Sequence, residues 1–337
     1  MPQKSQTQVA PPCGEDVTTD APLLYVVVPC YNEEQVLPET SRRLADKLDD
    51  LIDANIISRG SRVLFANDGS SDRTWELICE LHDDPSYHGL FAGLSLAHNR
   101  GHQNVLFAGL MEARNRGCDI SISMDADLQD DIGAIDQMIE AYKAGANIVF
   151  GVRNNRDTDS GFKRGTAHAF YNLMRRMGTE TVPDSADYRL MDARALDALA
   201  QYGEANLFLR GIVASMGFTT AKVYYRRAER FAGESKYPLA KMVSFAVDGI
   251  TSFSIVPLRI VTGVGFLFVL VALAMVVYAI VSLVRGVTVS GWTSLMASIW
   301  FVGGALMLSL GVVGEYVGRI YLESKHRPRY YVDKVLD

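Results

Sequence analysis

Asp125 and Asp127 stand two residues apart in the stretch SISMDADLQD (121–130), with Gln129 two further on, where an apolar alternating segment ends. In extended backbone, side chains alternate between faces, so these three project to one side if strand geometry persists. Hard oxygen donors in that pattern suit Mg2+ or Mn2+, ions that take one or two carboxylates and complete their shell with substrate phosphates. An isolated Asp-X-Asp is more often a pair of solvated loop acids; its place at the end of a strand is what favours a metal. An EF-hand is excluded, because Asp130 stands where that loop needs Gly and Asp136 where it wants Glu. Three more polar clusters accompany this one: PCYNEE (29–34), NDGSSD (67–72) and HNRGHQ (98–103). In the second, Asp68 stands at a strand end, where its carboxylate can accept hydrogen bonds from a ligand, against the competing reading of Asp-Gly-Ser as plain turn chemistry. His98 and His102 are four apart with Gly101 between them, which disfavours a rigid two-His metal site, and a solvated or structural role is expected for both.

The elements that must position these clusters alternate. Strands are predicted at Leu23–Pro29, Arg62–Asn67, Leu90–Ala97, Ile120–Met124 and Asn147–Val152. Helices are predicted at Glu33–Ile52, Ser71–His82, Gln103–Arg116 and Ile132–Ala144. That order argues for an α/β domain with a mainly parallel sheet, whose ligands bind beyond the carboxyl ends of the strands. All four clusters fall there. No GxxxxGK[ST] loop occurs, and no GxGxxG opens a helix after the first strand, so a phosphate-loop or dinucleotide site has no support. Residues 153 to about 237 read as a mixed region with several Arg and Lys. The four cysteines (Cys13, Cys30, Cys79, Cys118) are too widely spaced for a zinc pattern and are expected to be bystanders.

Apolar residues gather near the C-terminal end. Ile260–Val284 is 25 residues without a charge and Gly286–Gly314 is 29, each above the roughly 20 needed to cross a ~30 Å hydrocarbon layer as a helix. Two transmembrane helices are expected, at about 260–284 and 292–314. Residues 1–221 carry net charge −12 and residues 222–337 carry +6. Lys236, Lys241 and Arg259 precede the first span, and Arg319, Lys325, Arg327, Arg329 and Lys334 follow the second, with Arg285 alone in the loop between. The positive-inside tendency then puts both termini and the polar domain in the cytoplasm. Residues 1–22 read as a flexible tail without the apolar region of a signal peptide. Leu239, Met242, Val243, Ala246 and Ile250 recur at helical spacing, which suits a helix on the membrane surface over 238–257.

Taken in order, VVVPCYNEE, FANDGSSDRTWEL, LSLAHNRGHQNVLFAGL and SMDADLQDD resemble the family 2 glycosyltransferases, which have the GT-A fold. Downstream, GVRNN, DSADYRLMDARALDAL and RAERFAGESKYPL resemble the branch that holds dolichyl-phosphate mannose synthase and the bacterial polyprenyl-phosphate glycosyltransferases. The two spans and the closing RPRY are similar to the bactoprenol glucosyl transferase type. The resemblance covers about residues 23–331. It implies a GT-A (Rossmann-like) cytoplasmic domain over 23–237, the juxtamembrane helix, the two spans within 258–316 and a cytoplasmic tail over 317–337, in a bacterial inner membrane.

The resemblance also implies roles. Pro29, Tyr31, Glu33 and Asp68 would hold the nucleotide base and ribose, and Asp125, Asp127 and Gln129 the metal on the donor diphosphate. Arg153, Arg164, Arg227, Arg230, Ser235 and Lys236 would serve phosphates of donor or acceptor, with lipid headgroup attraction as the plainer reading for Arg227, Arg230 and Lys236. Asp187 matches the residue proposed as catalytic base. A lipid monophosphate, with a second pKa near about 6, is already largely a dianion, so orienting the acceptor is the defensible role. Arg189 is a candidate partner for it. The implied reaction is inverting transfer of a hexose, with UDP-glucose favoured, onto undecaprenyl phosphate. The alternatives are a GDP-mannose or UDP-N-acetylglucosamine donor, or a non-catalytic scaffold with the same fold. A processive synthase is disfavoured because no QxxRW occurs. No nucleic-acid partner is expected. Gly314 and Gly318 form a GxxxG that suits helix packing, and a homo-oligomer, a tetramer by resemblance, is expected.

Overall fold

The computed structural model describes residues 21–154, 185–204, 207–226, 256–285 and 291–337. The sheet begins with β1 (Leu24–Cys30), every residue of which is buried. That continuous apolar run, rather than an alternating one, is what a parallel strand covered on both faces requires. α1 (Leu37–Asp53), β2 (Arg62–Asn67), α2 (Thr74–Asp83), β3 (Phe91–Leu96), α3 (His102–Asn115), β4 (Ile120–Ser123), α4 (Ala134–Lys143) and β5 (Ile148–Arg153) follow in strict alternation. α1 shows the expected physics: Leu37, Leu44, Leu48 and Leu51 make one buried stripe at helical spacing, and Pro38 in the first turn is tolerated where no intrahelical N–H partner is needed.

The mixed region contributes β6 (Ser185–Asp192), α5 (Ala193–Ala200), α6 (Leu209–Ser215) and β7 (Thr220–Tyr225). Asp192 caps α5, its carboxylate accepting from Ala195 N at 2.7 Å. With β8 (Val332–Leu336) from the C-terminal segment, the sheet of the described residues has eight strands in the order β7-β5-β6-β4-β1-β2-β3-β8. β4, β1, β2 and β3 run parallel, whereas β6 is antiparallel to both β4 and β5. Gly109 of α3 lies against β1, where a Cβ would stand 2.5 Å from Val27 Cγ1, so a glycine sets how closely helix and sheet approach.

The ends of α1 to α4 shift by up to four residues from expectation, as at the start of α1, and three differences matter for the site and the apolar helices. The DADLQD strand ends at Ser123, and Ala126–Leu128 turns, with Leu128 in the left-handed region at φ 57°. The two-residue alternation expected of Asp125, Asp127 and Gln129 therefore does not apply, because strand geometry ends before Asp125. α7 (Val256–Val284) matches the first expected span, but α8 (Trp292–Ser324) is 33 residues and runs ten past the expected end. The Arg319–Glu315 pair at i,i+4 spacing lies in the added turns. Residues 317–337 are not a plain tail either. Val332–Leu336 forms β8, antiparallel to β3 with Gly93 opposite Leu336 and Leu94 opposite Val335. α7, and α8 as far as Gly314, are apolar on nearly all sides and largely exposed, Phe268 and Phe301 touching edge to face at 5.4 Å between them. By length and composition both are able to cross a membrane. The expected juxtamembrane helix (238–257) lies almost wholly outside the described residues, as do residues 1–20 of the expected tail.

Candidate active site

The four polar clusters meet at the carboxyl end of the parallel strands. After β1, Tyr31 is exposed and Asn32 takes a left-handed φ of 55°. That turn lets Asn32 Oδ1 accept from Ser71 N at 2.9 Å, while Asn32 N donates to Ser70 Oγ at 3.0 Å and Glu33 N to Thr74 Oγ1 at 2.8 Å. Pro29 is buried within β1. Asp68, expected to face nucleotide, is buried and turns one oxygen to Arg100 N at 2.7 Å and the other to Gly101 N at 2.8 Å. Its carboxylate thus shapes the loop that opens α3. Gly69 permits the close approach: with φ 63°, a Cβ there would stand 2.8 Å from the His98 backbone.

The DADLQD turn is fixed from two sides. Thr40 Oγ1 of α1 donates to Ala126 O at 2.7 Å, and Asp127 Oδ1 accepts from Gln129 N at 3.2 Å. Tyr188 Oη donates to Asp131 O at 2.9 Å. Asp130 is buried. Its Oδ1 accepts from Tyr225 Oη at 2.5 Å and lies 3.8 Å from an Arg153 amino group, while Oδ2 has no hydrogen-bond partner among the described residues. Arg153 Nε reaches Tyr225 Oη at 3.3 Å. Arg153, at the end of β5, and Tyr225, at the end of β7, are thereby drawn beside the acidic turn.

Asp187 on β6 is the centre of a second cluster. Its side chain is 5% exposed. One oxygen accepts from Arg189 Nη2 at 2.5 Å and from Arg210 Nε at 3.2 Å; the other accepts from Arg210 Nη2 at 3.0 Å and lies 3.5 Å from Gln103 Nε2. His102 joins the two clusters, with Nε2 3.3 Å from Asp187 and 3.7 Å from Asp125. A structural or solvated histidine was expected at 102; the start of α3 instead places it between two carboxylates. Arg210 was missed altogether, although a lone charge inside the apolar run LFLRGIVA was an available signal. Gln103 was legible only as the last residue of the polar stretch HNRGHQ, with no role assigned, since its contacts are 84 and 106 residues away. Arg164, Arg227, Arg230, Ser235 and Lys236 lie outside the described residues.

Electrostatics separate the clusters. Burial works against ionising Asp187, yet Arg210, His102 and Arg189 outweigh it and hold its pKa well below the usual carboxylate range. Burial alone would lower the His102 pKa; the hydrogen bond to Asp187 and the charge of Asp125 raise it. Asp125 is pushed up by burial and by the negative charges of Asp187 and Asp127, and Asp130 rises to about 6 by burial and the charge of Asp125. The acidic turn is thus under-neutralised where the Asp187 cluster is not. Among the described residues no three acidic, His or Cys side chains close into a metal cage. Two carboxylates crowded by burial and mutual repulsion fit an ion that takes one or two protein oxygens and the rest from phosphate and water.

The family 2 glycosyl transferase description matches residues 25–214, and that of the GtrB C-terminal hairpin matches 256–320. The chain is 49% identical over 312 residues to the uncharacterized glycosyltransferase YkoT of Bacillus subtilis (strain 168), covering 93% of this chain and 91% of that protein. It is 39% identical over 310 residues to the bactoprenol glucosyl transferase of Shigella phage SfV, covering 91% and 97%. A prophage bactoprenol glucosyl transferase homolog of Escherichia coli (strain K12) is 38% identical over 316 residues, covering 92% and 98%. With an α/β sheet whose strand ends gather the acidic turn, the Asp187 cluster and the loops after β1 and β2, the chain belongs to glycosyltransferase family 2 and is an enzyme of that family.

Proposed function

We propose that this enzyme transfers a hexose, glucose from UDP-glucose, to undecaprenyl phosphate at the cytoplasmic face of a bacterial inner membrane, with inversion at the anomeric carbon. The observation that carries the reading is one chain holding both a family 2 domain and the hairpin of apolar helices, matched over 91% of its length by a bactoprenol glucosyl transferase. The exposed apolar surface of α7 and α8 supports a membrane anchor, since lipid is the solvent in which that surface costs nothing. The basic residues before and after the hairpin support a cytoplasmic domain and termini. Gly314 and Gly318, both open to close approach, support a homo-oligomer.

Tyr31, exposed beyond β1, would stack on the base, with Pro29 and Glu33 shaping that side and Asp68 holding the loop opposite. Asp125 and Asp127, with Gln129 beside them, would hold Mg2+ or Mn2+. Such an ion supplies charge stabilisation to the departing nucleoside diphosphate. Arg153 adds a guanidinium fork to the same diphosphate, its direction set by Tyr225 and Asp130.

Asp187 acts by orientation. A carboxylate held ionised by two arginines is a poor proton acceptor, and the lipid phosphate needs none. Asp187 fixes Arg210 and His102 toward the gap between clusters, where the acceptor phosphate would approach. Arg164, Arg227, Arg230, Ser235 and Lys236 are further ligands for phosphate in this reading.

The test is product formation by purified protein with undecaprenyl phosphate, Mg2+ or Mn2+ and a panel of labelled UDP- and GDP-sugars, each repeated with chelator. Label entering lipid from UDP-glucose and lost with chelator supports the reading. Label from GDP-mannose alone replaces the donor, and no label from any sugar with folded protein overturns it.

A further inference from the structure

The segment after α8 lies beyond the residues that either family description matches, yet it is tied into the catalytic domain. We propose that residues 325–337 form a strap and that Arg329 is a positioning residue for the cluster around Asp187, locking together the two chain segments that deliver Gln103 and Arg210.

Arg329 Nε donates to Glu204 O at 2.8 Å, and its Nη2 donates to Tyr202 O. The same guanidinium lies 4.6 Å over the ring of Phe107, and Tyr330 meets that ring edge-on at 6.4 Å. Phe107 is one turn along α3 from Gln103. Glu204 is six residues before Arg210 in the chain. On the inner side the same two segments are joined by Gln103, whose Oε1 accepts from Leu209 N at 3.0 Å. They are therefore braced twice, by Gln103 inside and Arg329 outside. Only a planar fork satisfies two carbonyls while stacking on a ring.

The strap is itself anchored. Tyr331 O accepts from Ala97 N at 2.9 Å, β8 pairs with β3, and Arg116 donates to Leu336 O at 3.0 Å and to Asp337 Oδ1 at 2.9 Å. Because Ser324 ends α8 five residues before Arg329, the brace is a direct continuation of the apolar hairpin. The acidic turn is held from elsewhere, by Thr40 and Tyr188. Loss of Arg329 should therefore fall on the acceptor side and spare the donor side. That division rests on the acceptor reading given above.

The experiment uses the full chain in mild detergent with undecaprenyl phosphate and UDP-glucose varied in turn. In Arg329→Ala, kcat/KM for the lipid falls about tenfold, short of the ~10²-fold that a 1 Å misplacement can cost. KM for the sugar nucleotide stays within about twofold and Arg329→Lys recovers part of the loss, one carbonyl being within reach of an ammonium. Phe107→Leu, which removes only the ring, shifts the lipid parameter in the same direction if Arg329→Ala does not fold. A fall in kcat with both KM values unchanged, as from a smaller active fraction, overturns the proposal. So do lipid kinetics equal to wild type. Hydrogen exchange gives a reading independent of the acceptor. Amides of Leu209–Val213 should exchange about tenfold faster in the variant, the equivalent of one lost hydrogen bond, with β1 and β2 unchanged. Equal rates overturn the brace. An inactive wild type with the exchange change intact sinks the acceptor reading alone.

Discussion

Asp187→Asn separates an orienting carboxylate from a general base by stability as well as by rate. The substitution keeps size and removes charge, leaving Arg189, 2% exposed, as a buried cation whose Nε has no hydrogen-bond partner among the described residues. Removing one partner of such a pair costs about 3–5 kcal/mol. Arg210 is a third exposed, and solvent recovers part of its loss, so the lower end of that range is expected. For a domain of this size 1 kcal/mol moves Tm by ~2–4 °C, which gives a fall of about 6–12 °C. The sign with pH is the sharper test. The folded-state pKa of Asp187 is depressed, so its contribution is present above the unfolded value near ~4 and lost only as pH falls through the folded one. His102 has a raised pKa, so its pairing with Asp187 is fully present below about 6.5 and drains as pH rises through the raised value. The Tm gap between wild type and variant should therefore be largest near pH 5–6 and narrow modestly toward pH 8. A general base titrating near neutrality would have a raised folded-state pKa, so its ionisation would cost stability as pH climbs from ~4 to ~7 and the gap would collapse steeply over that range instead of narrowing modestly. Scanning fluorimetry in mild detergent across that range reads both. A gap under about 2 °C throughout, or one that collapses toward zero between pH ~5 and ~7, would refute the locked-carboxylate argument.

Asp125→Asn and Asp127→Asn should each lower labelled-sugar transfer by at least ~10²-fold without lowering Tm, since both relieve crowding of like charge; full activity in either removes the metal role. Gly109→Ala drives a methyl into Val27 and should cost about 1–3 kcal/mol in a denaturant midpoint; an unchanged midpoint would mean α3 shifts freely. Gly69→Ala strains a left-handed residue against the His98 backbone by ~1–3 kcal/mol and should weaken UDP-glucose binding in calorimetry more than lipid binding. Cys30 and Cys118 are buried, burial raising the first thiol and pushing the second up to about 12, so a thiol reagent at neutral pH should leave both unmodified until the fold opens; rapid labelling of either in native protein contradicts their placement.

The sequence by itself determined the architecture and the approximate floor of the site. Continuous apolar runs such as LYVVVPC and the 3.6-residue stripe of α1 are local patterns whose period dictates strand or helix, and parallel strands put their polar ends on one side. The uncharged runs near 260–284 and 292–314 marked the two long helices for the same reason. Tertiary structure alone decided which polar residues meet. Asp68 became a brace for the α3 loop because β2 ends beside it, and His102 reached Asp125 and Asp187 because β4 and β6 are neighbours. β8 was illegible in VDKVL, five residues with two charges, since an edge strand is made by the partner it finds rather than by its own pattern. Arg329 and Glu204 lie 125 residues apart, and no local period carries a contact of that separation. Periodicity encodes which face of an element is buried; only closing the sheet brings charged side chains from distant elements within hydrogen-bonding distance of one another.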